Sequence, residues 1–293
     1  MNTVLVTGSD GMLGRAVAAA LQRAGHRTVA LGRHELDITS AAAVASAWAA
    51  HHPHAVVNCA AYTAVDDAEH DEAAARLVNT EGPRHLAEAS ARAGAPERPT
   101  RLIHISTDYV FGGEALHPYA ESAPTRPRTA YGRTKLGGER AVLKALPATG
   151  TVLRTAWLYG AHGHHFPATM ARLAREPGRT VHVVADQYGQ PTWAGDLAAR
   201  VVELVARPCH GILHATNSGE ATWFDLAREV FTRLGADPAR VHPACSDDVP
   251  RFAPRPRRST LGHEGWSVTG LPPMRHWLDA LDEAWPTLGL DDS

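Results

Sequence analysis

Short apolar runs alternate with longer amphipathic stretches through the first half of the chain. "TVLVT" (3–7) has the run of a buried strand, and residues 12–24 carry Leu13, Val17 and Leu21 at helical spacing. "TVAL" (28–31) predicts a second strand and the alanine-rich 41–51 a helix. "AVVNCA" (55–60) predicts a third strand, 72–93 a long helix and "RLIHIS" (101–106) a fourth strand. A helix containing Tyr131 and stopped by Pro147 follows, then the strand "GTVLRTAWLYG" (150–160). Strands that are apolar throughout and separated by helices imply a parallel sheet covered on both faces, an α/β doubly wound Rossmann architecture.

Beyond residue 160 the pattern loosens and proline becomes more frequent. Helices are expected at 166–175, 196–206, 223–234 and 273–285, with short strands at 181–184 and 212–215. The expected division is a cofactor-binding Rossmann domain over 1–160 and a smaller, partly interleaved substrate-binding lobe over 161–293. The lobe is free to return strands to the first sheet.

Composition narrows the partners. The 293 residues are 44% hydrophobic and 20% charged with a formal net charge of -2, a balance with no electrostatic footprint for nucleic acid. No apolar run approaches the roughly 20 residues of a membrane span, and the N-terminus enters a strand without a signal-like segment. A cytoplasmic protein is expected. Cys59, Cys209 and Cys245 form no CxxC pair, and the histidine clusters at 51–54 and 162–165 lack a recurring partner at ligand spacing. Neither a disulfide framework nor a metal site is expected.

"VTGSDGMLG" sets Gly8, Gly11 and Gly14 between the first strand and first helix. Bare glycine backbones there, with Met12 and Leu13 opening the helix, admit a pyrophosphate to the helix N-terminus. A tight strand-to-helix turn favours glycine for itself, so position in the βαβ unit carries the dinucleotide reading. After the second strand Arg33 stands where an acid would favour NAD. The expected cofactor is therefore NADPH, with NADH acceptance left open by nearby Glu35. Asp37 and Ile38 are candidates for the adenine edge.

"ISTDYVFGG" brings the hydroxyls of Ser106 and Thr107 to a strand end, where doubly wound folds bind ligands. "AYGRTKLGGE" places Tyr131 and Lys135 one helical turn apart. A tyrosine can protonate an alkoxide, a lysine ammonium can stabilise the tyrosinate, and a hydroxyl can polarise the carbonyl. A solvated tyrosine beside a solvated lysine has the same spacing. Glycine turn, hydroxyl-bearing strand end and Tyr-Lys pair, in this order, resemble the extended branch of the short-chain dehydrogenase/reductase superfamily. "NCAAYTAVDDAE" (58–69), "STDYVFGG" (106–113), "RTAWLYG" (154–160), "DQYGQPTWAGDLA" (186–198) and "PRPRRSTL" (254–261) narrow the resemblance. They look like the dTDP-4-dehydrorhamnose reductase family over nearly the whole chain.

That resemblance implies NADPH-dependent reduction of the C4 ketone of a dTDP-4-keto-6-deoxyhexose, foremost dTDP-4-dehydro-L-rhamnose to dTDP-L-rhamnose. Thr107, Tyr131 and Lys135 would be the catalytic set. Ala60, Ala61 and Tyr62 would flank the cofactor. Thr63, Val65, Asp108, Tyr109 and Trp157 would line the sugar pocket, and Arg255 would meet the diphosphate, with weaker claims for Arg257 and Arg258. Val110 and Phe111 read equally well as core, and Trp157 as packing. Asp66 and Glu69 are candidates to order the loop around Thr63, and Gln187 and Thr192 to line the lower lobe. Arg15 and Ala16 stand where some members carry a glutamate of a metal-bridged dimer, so no metal is carried over, while a homodimer stays open. Competing readings are a ketoreductase or dihydrostreptose-type synthase of an antibiotic deoxysugar pathway, an epimerase or dehydratase, and an NADP-binding regulatory subunit of the methionine adenosyltransferase beta type.

Overall fold

The computed structural model describes residues 3–93 and 99–290. Strands β1 (Thr3–Thr7), β2 (Arg27–Leu31), β3 (Ala55–Asn58), β4 (Arg101–Thr107) and β5 (Gly150–Thr155) share one parallel sheet with the strand Gly211–His214. Their spatial order is 211–214, β5, β4, β3, β1, β2. The chain leaves β1 toward β2 and returns to β3 on the other side of β1, which opens a crevice between β1 and β3. β1, β3 and β5 are buried along their whole length, whereas β2 lies at the edge and is partly exposed.

Alternation along β1 sends Val4 and Val6 to one face and Leu5 to the other. The first face is covered by helix α1 (Met12–Arg23) and the helix Ala194–Ala206, through Val17, Leu21, Leu197 and Val201. The second is covered through Trp48, Leu86 and Val142, which lie on α2 (Ala41–His51) and on two helices defined below. Each fully buried Leu or Val contributes about 1.5–3 kcal/mol. In the smaller lobe Val181–Val184 pairs in parallel with Val241–Ala244. Helices Phe166–Arg175, Trp223–Arg233 and Trp277–Ala284 pack there around Leu226, Phe231 and Leu281. Among the described residues no helix is long and apolar enough to cross a membrane.

Four expected elements differ from what forms. The helix expected over 72–93 is broken into α4 (Glu72–Arg76), a π-helical turn Leu77–Glu81 and α5 (Gly82–Ala93), preceded by α3 (Val65–His70). Pro83 has no N–H for the Asn79 carbonyl four residues back, so the regular ladder cannot run through this point. The third strand stops at Asn58, whose side-chain oxygen accepts from the Ala60 N–H at 3.1 Å. The strand expected over 150–160 stops at Thr155, because Trp157 adopts φ +47°. It resumes as Leu158–Tyr159, paired with Thr192–Trp193. The last helix begins at Trp277, after the prolines, rather than at 273.

Helix α6 (Ala130–Ala145) carries Leu86's neighbour Val142 into the sheet and meets the π turn with its glycines. Thr129 caps it, its hydroxyl accepting from the Gly132 N–H at 3.0 Å. A Cβ on Gly138 would lie 2.2 Å from the Asn79 carbonyl oxygen, a backbone atom that cannot swing aside. The Thr80 hydroxyl donates to the Thr134 carbonyl at 2.7 Å across the same contact. Gly138→Ala is therefore expected to lower stability by about 1–3 kcal/mol through overpacking, read as a lower Tm in thermal unfolding. An unchanged Tm would mean that the two elements are not in close contact.

Candidate active site

The last three residues of β4 meet α6 one after another. The Ile105 carbonyl accepts from Lys135 Nζ at 2.6 Å. The Ser106 hydroxyl donates to Glu139 Oε1 at 2.5 Å. The Thr107 hydroxyl faces the Tyr131 phenol, donates to Asp108 Oδ1 at 3.0 Å and accepts from the Tyr109 N–H at 3.2 Å. The Tyr109 ring stands edge-on to Tyr131, with centroids 5.5 Å apart. The structure thus brings together Thr107, Asp108, Tyr109, Tyr131 and Lys135 at the carboxyl end of a central strand.

Burial sets the protonation states. It pushes the Tyr131 phenol up to about 12, with the Thr107 hydroxyl pulling the other way and the Asp108 charge adding to the rise. It pulls the Lys135 ammonium down to about 8 against the opposing charge of Glu139. Burial also lifts Asp108 to about 6, offset in part by the Ser259 and Thr107 hydroxyls, and raises Tyr109 above the ordinary phenol value. At neutral pH the site presents a protonated phenol and a buried ammonium close to its own titration range. A phenol held in its neutral form is a proton donor, which is what an alkoxide requires.

Beside this set lies the β1–β3 crevice. Gly8 takes φ +65°, and a Cβ there would lie 2.6 Å from the Ala60 nitrogen, so only glycine fits. Gly11 caps α1 with no side-chain acceptor and no acid in the first turn, which leaves the helix N–H groups available to an anion. A Cβ on Gly14 would collide with the Gly8 carbonyl oxygen. Leu13 is buried in the core and Met12 packs against it, so these two offer backbone to the crevice. Ala60, Ala61 and Tyr62 are half-buried on the opposite wall. The Asn79 amide fixes Tyr62 by accepting from its N–H at 2.8 Å and donating to its carbonyl at 3.1 Å. Arg33 is exposed at the rim and lowers the neighbouring Asp37 carboxyl, whose main partner is Thr39 through N–H and hydroxyl at 2.9 and 2.7 Å. The Ile38 side chain is buried against Gly82. These features fit a dinucleotide: a side-chain-free cradle at a helix start, with a cation at the far rim.

On the lobe side a cavity of about 270 Å³ is lined by Arg128, Gln187, Arg251, Arg255 and Arg257 among others. Arg255 is also a strut. Its guanidinium grips Asp66 at 2.6 and 3.1 Å, while Asp66 Oδ1 accepts from the Ala253 N–H at 2.9 Å. The Asp66 expectation is corrected accordingly: it ties down the 253–255 segment rather than the loop around Thr63. Glu69 accepts from the Ala130 N–H at 2.7 Å and so holds the start of α6. Thr63 is exposed, and Val65 opens α3 half-buried. Arg258 pairs with Glu220 and lies over the Tyr188 ring, and Arg257 is exposed. Thr192 is fully buried with its hydroxyl on the Gln190 carbonyl, so it packs the lobe instead of lining it. Val110 and Phe111 are core. Trp157 stacks on Trp223 at 3.6 Å, and its indole blocks any side chain at Gly189.

Sequence reasoning missed Asn79, Glu139, Arg154 and Trp223. Pro83 was the available signal for Asn79, since it forces the π turn from which Asn79 reaches Tyr62. Glu139 follows Lys135 by one turn, but nothing in the sequence reveals that Arg154 and Ser106 converge on it from two strands. Trp223 opens a helix 66 residues after Trp157, and only the tertiary fold stacks the two rings.

A Rossmann sheet, a glycine cradle and a tyrosine and lysine one turn apart at a hydroxyl-bearing strand end define a short-chain dehydrogenase/reductase-type protein of the extended kind. Residues 1–289 match the model of the RmlD substrate binding domain family. The chain belongs to that family, the dTDP-4-dehydrorhamnose reductase family. It is 57% identical to a probable dTDP-4,6-dihydroxy-2-methyloxan-3-one 4-ketoreductase of Streptomyces antibioticus, covering 97% of this chain and 95% of the relative. It is 54% identical to a dTDP-4-dehydrorhamnose reductase of Streptomyces griseus, covering 97% and 93%. The crystal structure of dTDP-4-dehydrorhamnose reductase from Bacillus anthracis in complex with NADP superposes with a TM-score of 0.91 at 33% identity, over 98% of this chain and 99% of that one.

The raised Asp108 carboxyl makes stability depend on pH. Its folded value of about 6 exceeds the unfolded value of about 3.9, so folding favours the protonated form. The corresponding stability is fully present below about pH 4 and is lost as pH rises through about 6. Asp108→Asn, which cannot ionise, is expected to be more thermostable than the parent above pH 6. The difference in Tm should close toward pH 4. A variant less stable at pH 8 than the parent would contradict the stated cause.

Proposed function

We propose that this protein catalyses NADPH-dependent reduction of the C4 ketone of a dTDP-4-keto-6-deoxyhexose. The foremost substrate is dTDP-4-dehydro-L-rhamnose, reduced to dTDP-L-rhamnose. The observation that carries the proposal is the convergence of Thr107, Tyr131 and Lys135 beside the glycine crevice. In this reading residues 1–160 hold the dinucleotide and residues 161–293 complete the sugar-nucleotide site, in the cytoplasm, with a second copy of the chain as partner in a homodimer.

The residues divide the work as their surroundings allow. Gly8, Gly11 and Gly14, with the Met12 and Leu13 backbone, hold the pyrophosphate at the start of α1, and Arg33 meets the 2′-phosphate. Asp37 and Ile38 border the adenine, and Ala60, Ala61 and Tyr62 form the wall opposite the glycines. When bound, the reduced nicotinamide supplies a hydride to the carbonyl carbon. Tyr131 holds its proton at the phenol oxygen and gives it to the oxygen that becomes the C4 hydroxyl. Lys135 stabilises the resulting phenolate and holds the nicotinamide ribose, while the Thr107 hydroxyl bonds the reacting oxygen. Thr63, Val65, Asp108, Tyr109 and Trp157 line the sugar, and Arg255 meets the diphosphate from its anchored position on Asp66.

A second reading changes only the sugar. The name of the 57% identical Streptomyces antibioticus relative favours a 4-ketosugar other than the rhamnose precursor. Coupling an upstream dTDP-glucose dehydratase, with and without a 3,5-epimerase, and following loss of reduced-nicotinamide absorbance separates the two. Turnover that needs the epimerase supports the rhamnose precursor, turnover only of a separately supplied dTDP-4-keto-2,6-dideoxyhexose supports the second reading, and no turnover of either contradicts both. Tyr131→Phe is expected to lower kcat by about 10²–10⁴-fold with little change in NADPH affinity. Arg33→Ala is expected to narrow the preference in kcat/KM for NADPH over NADH, and a parent that prefers NADH would overturn the role of Arg33.

A further inference from the structure

Lys135 and Lys144 are the only two lysines in the chain. Lys144 is exposed on the last turn of α6. Lys135 is 2% exposed, and among the described residues its ammonium has one hydrogen bond, to the Ile105 carbonyl. A charge this deeply buried needs an opposite charge nearby or it gives up its proton. The titratable and charged groups around it are few. From α6 they are Tyr131 and Glu139, from β4 His104, from β5 Arg154, and after β3 Cys59. His104 is held neutral by burial, and burial keeps the Cys59 thiol protonated. Tyr131 is a neutral phenol, so Glu139 is the one anion in the set.

Glu139 is held with little freedom. It is 1% exposed and lies four residues after Lys135, hence on the same face of α6. Arg154 grips both carboxylate oxygens, Nε to Oε1 at 2.9 Å and Nη2 to Oε2 at 2.8 Å. Ser106 adds a third bond to Oε1. Arg154 is itself fixed by the Glu121 carbonyl at 3.3 Å, by His214 at 3.4 Å and by the Phe111 ring 4.9 Å beneath it. A buried ion pair contributes little net stability compared with a well-packed apolar pair. Three bonds fix this carboxylate one helical turn from Lys135, close enough for its charge to act on the ammonium without direct contact.

We propose that Glu139, clamped by Arg154 and Ser106, is the positioning residue for Lys135, its fixed negative charge keeping the buried ammonium charged and seated on the Ile105 carbonyl. This rests on assigning Lys135 to the catalytic set. Glu139 touches no reacting atom and acts through Lys135 alone. Arg154 and Ser106 hold Glu139 in place.

The two lysines make the test direct. Protein labelled with ¹³C at lysine Cε gives two side-chain signals, and Lys144 serves as the internal control in a pH titration by NMR. The variants are Glu139→Gln and the double variant Glu139→Gln with Arg154→Met, which replaces the pair by uncharged groups and leaves no buried guanidinium unpaired. In both, the Lys135 transition is expected to move to lower pH by roughly one unit or more while Lys144 stays put. The alkaline limb of kcat/KM for ketosugar reduction should move in the same direction. A double variant that folds, with Lys135 titrating as in the parent, would overturn the proposal and assign Glu139 to folding alone. The titration needs no substrate, so a Lys135 shifted in the variants while the parent itself shows no turnover sinks the ketoreductase reading and leaves the charge coupling between Glu139 and Lys135 standing. An unshifted Lys135 in an active protein does the reverse.

Discussion

The seating of α6 on the end of β4 is the contact on which the site depends. Backbone, hydroxyl and hydroxyl from three successive residues, Ile105, Ser106 and Thr107, meet Lys135, Glu139 and Tyr131. A strand turns its side chains alternately to opposite faces, so Ser106 and its two neighbours cannot all reach α6 by side chain. Ile105 solves this by offering its carbonyl, while Thr107 lies where the strand gives way to the 3₁₀ turn Asp108–Val110. Shifting the helix by one residue would break all three contacts together. The glycines Gly137 and Gly138 prevent this by letting α6 settle onto the Thr80 side chain and the Asn79 carbonyl, and Glu69 holds its first turn.

The same burial that fixes this geometry supplies its chemistry. Water excluded from the β4–α6 contact raises Tyr131 and lowers Lys135, so the phenol keeps its proton and the ammonium approaches the pH at which it can yield. The opposing charge of Glu139 limits the second effect. The crevice on the other side of β4 is shaped by a different rule, the need for bare backbone at Gly8 and Gly14 where α1 and the Ala60 wall come close. Cofactor cradle and proton donor therefore arise from two independent constraints that meet at the carboxyl end of the sheet.

Much of this was legible in the sequence because it is written in local patterns. Apolar runs gave β1 to β5, and the spacing of Tyr131 and Lys135 gave a shared helical face that the structure retains. What stayed hidden depends on contacts distant along the chain. The π turn at Leu77–Glu81 answers to Pro83 and to Gly138 on another helix, and it is what aims Asn79 at Tyr62. Trp157 breaks its strand with a left-handed backbone that suits stacking on Trp223, a partner no periodicity could point to. Arg255 reads as a candidate diphosphate ligand in "RPRRS", but nothing near it in sequence reveals that the fold also clasps it to Asp66, 189 residues away. Roles carried by a neighbour in sequence could be read, and roles created by tertiary proximity could not.

The central claim is that this site passes a hydride to C4 of a nucleotide-linked ketosugar while Tyr131 supplies the proton. The most direct measurement uses NADPH deuterated at the transferable position with a dTDP-4-keto-6-deoxyhexose, followed by NMR and mass analysis of the sugar product. The account predicts one deuterium, bound at C4, in the product of the parent protein and almost none in that of Tyr131→Phe over the same time. Deuterium at another carbon, a product without deuterium, or equal incorporation by Tyr131→Phe would contradict it.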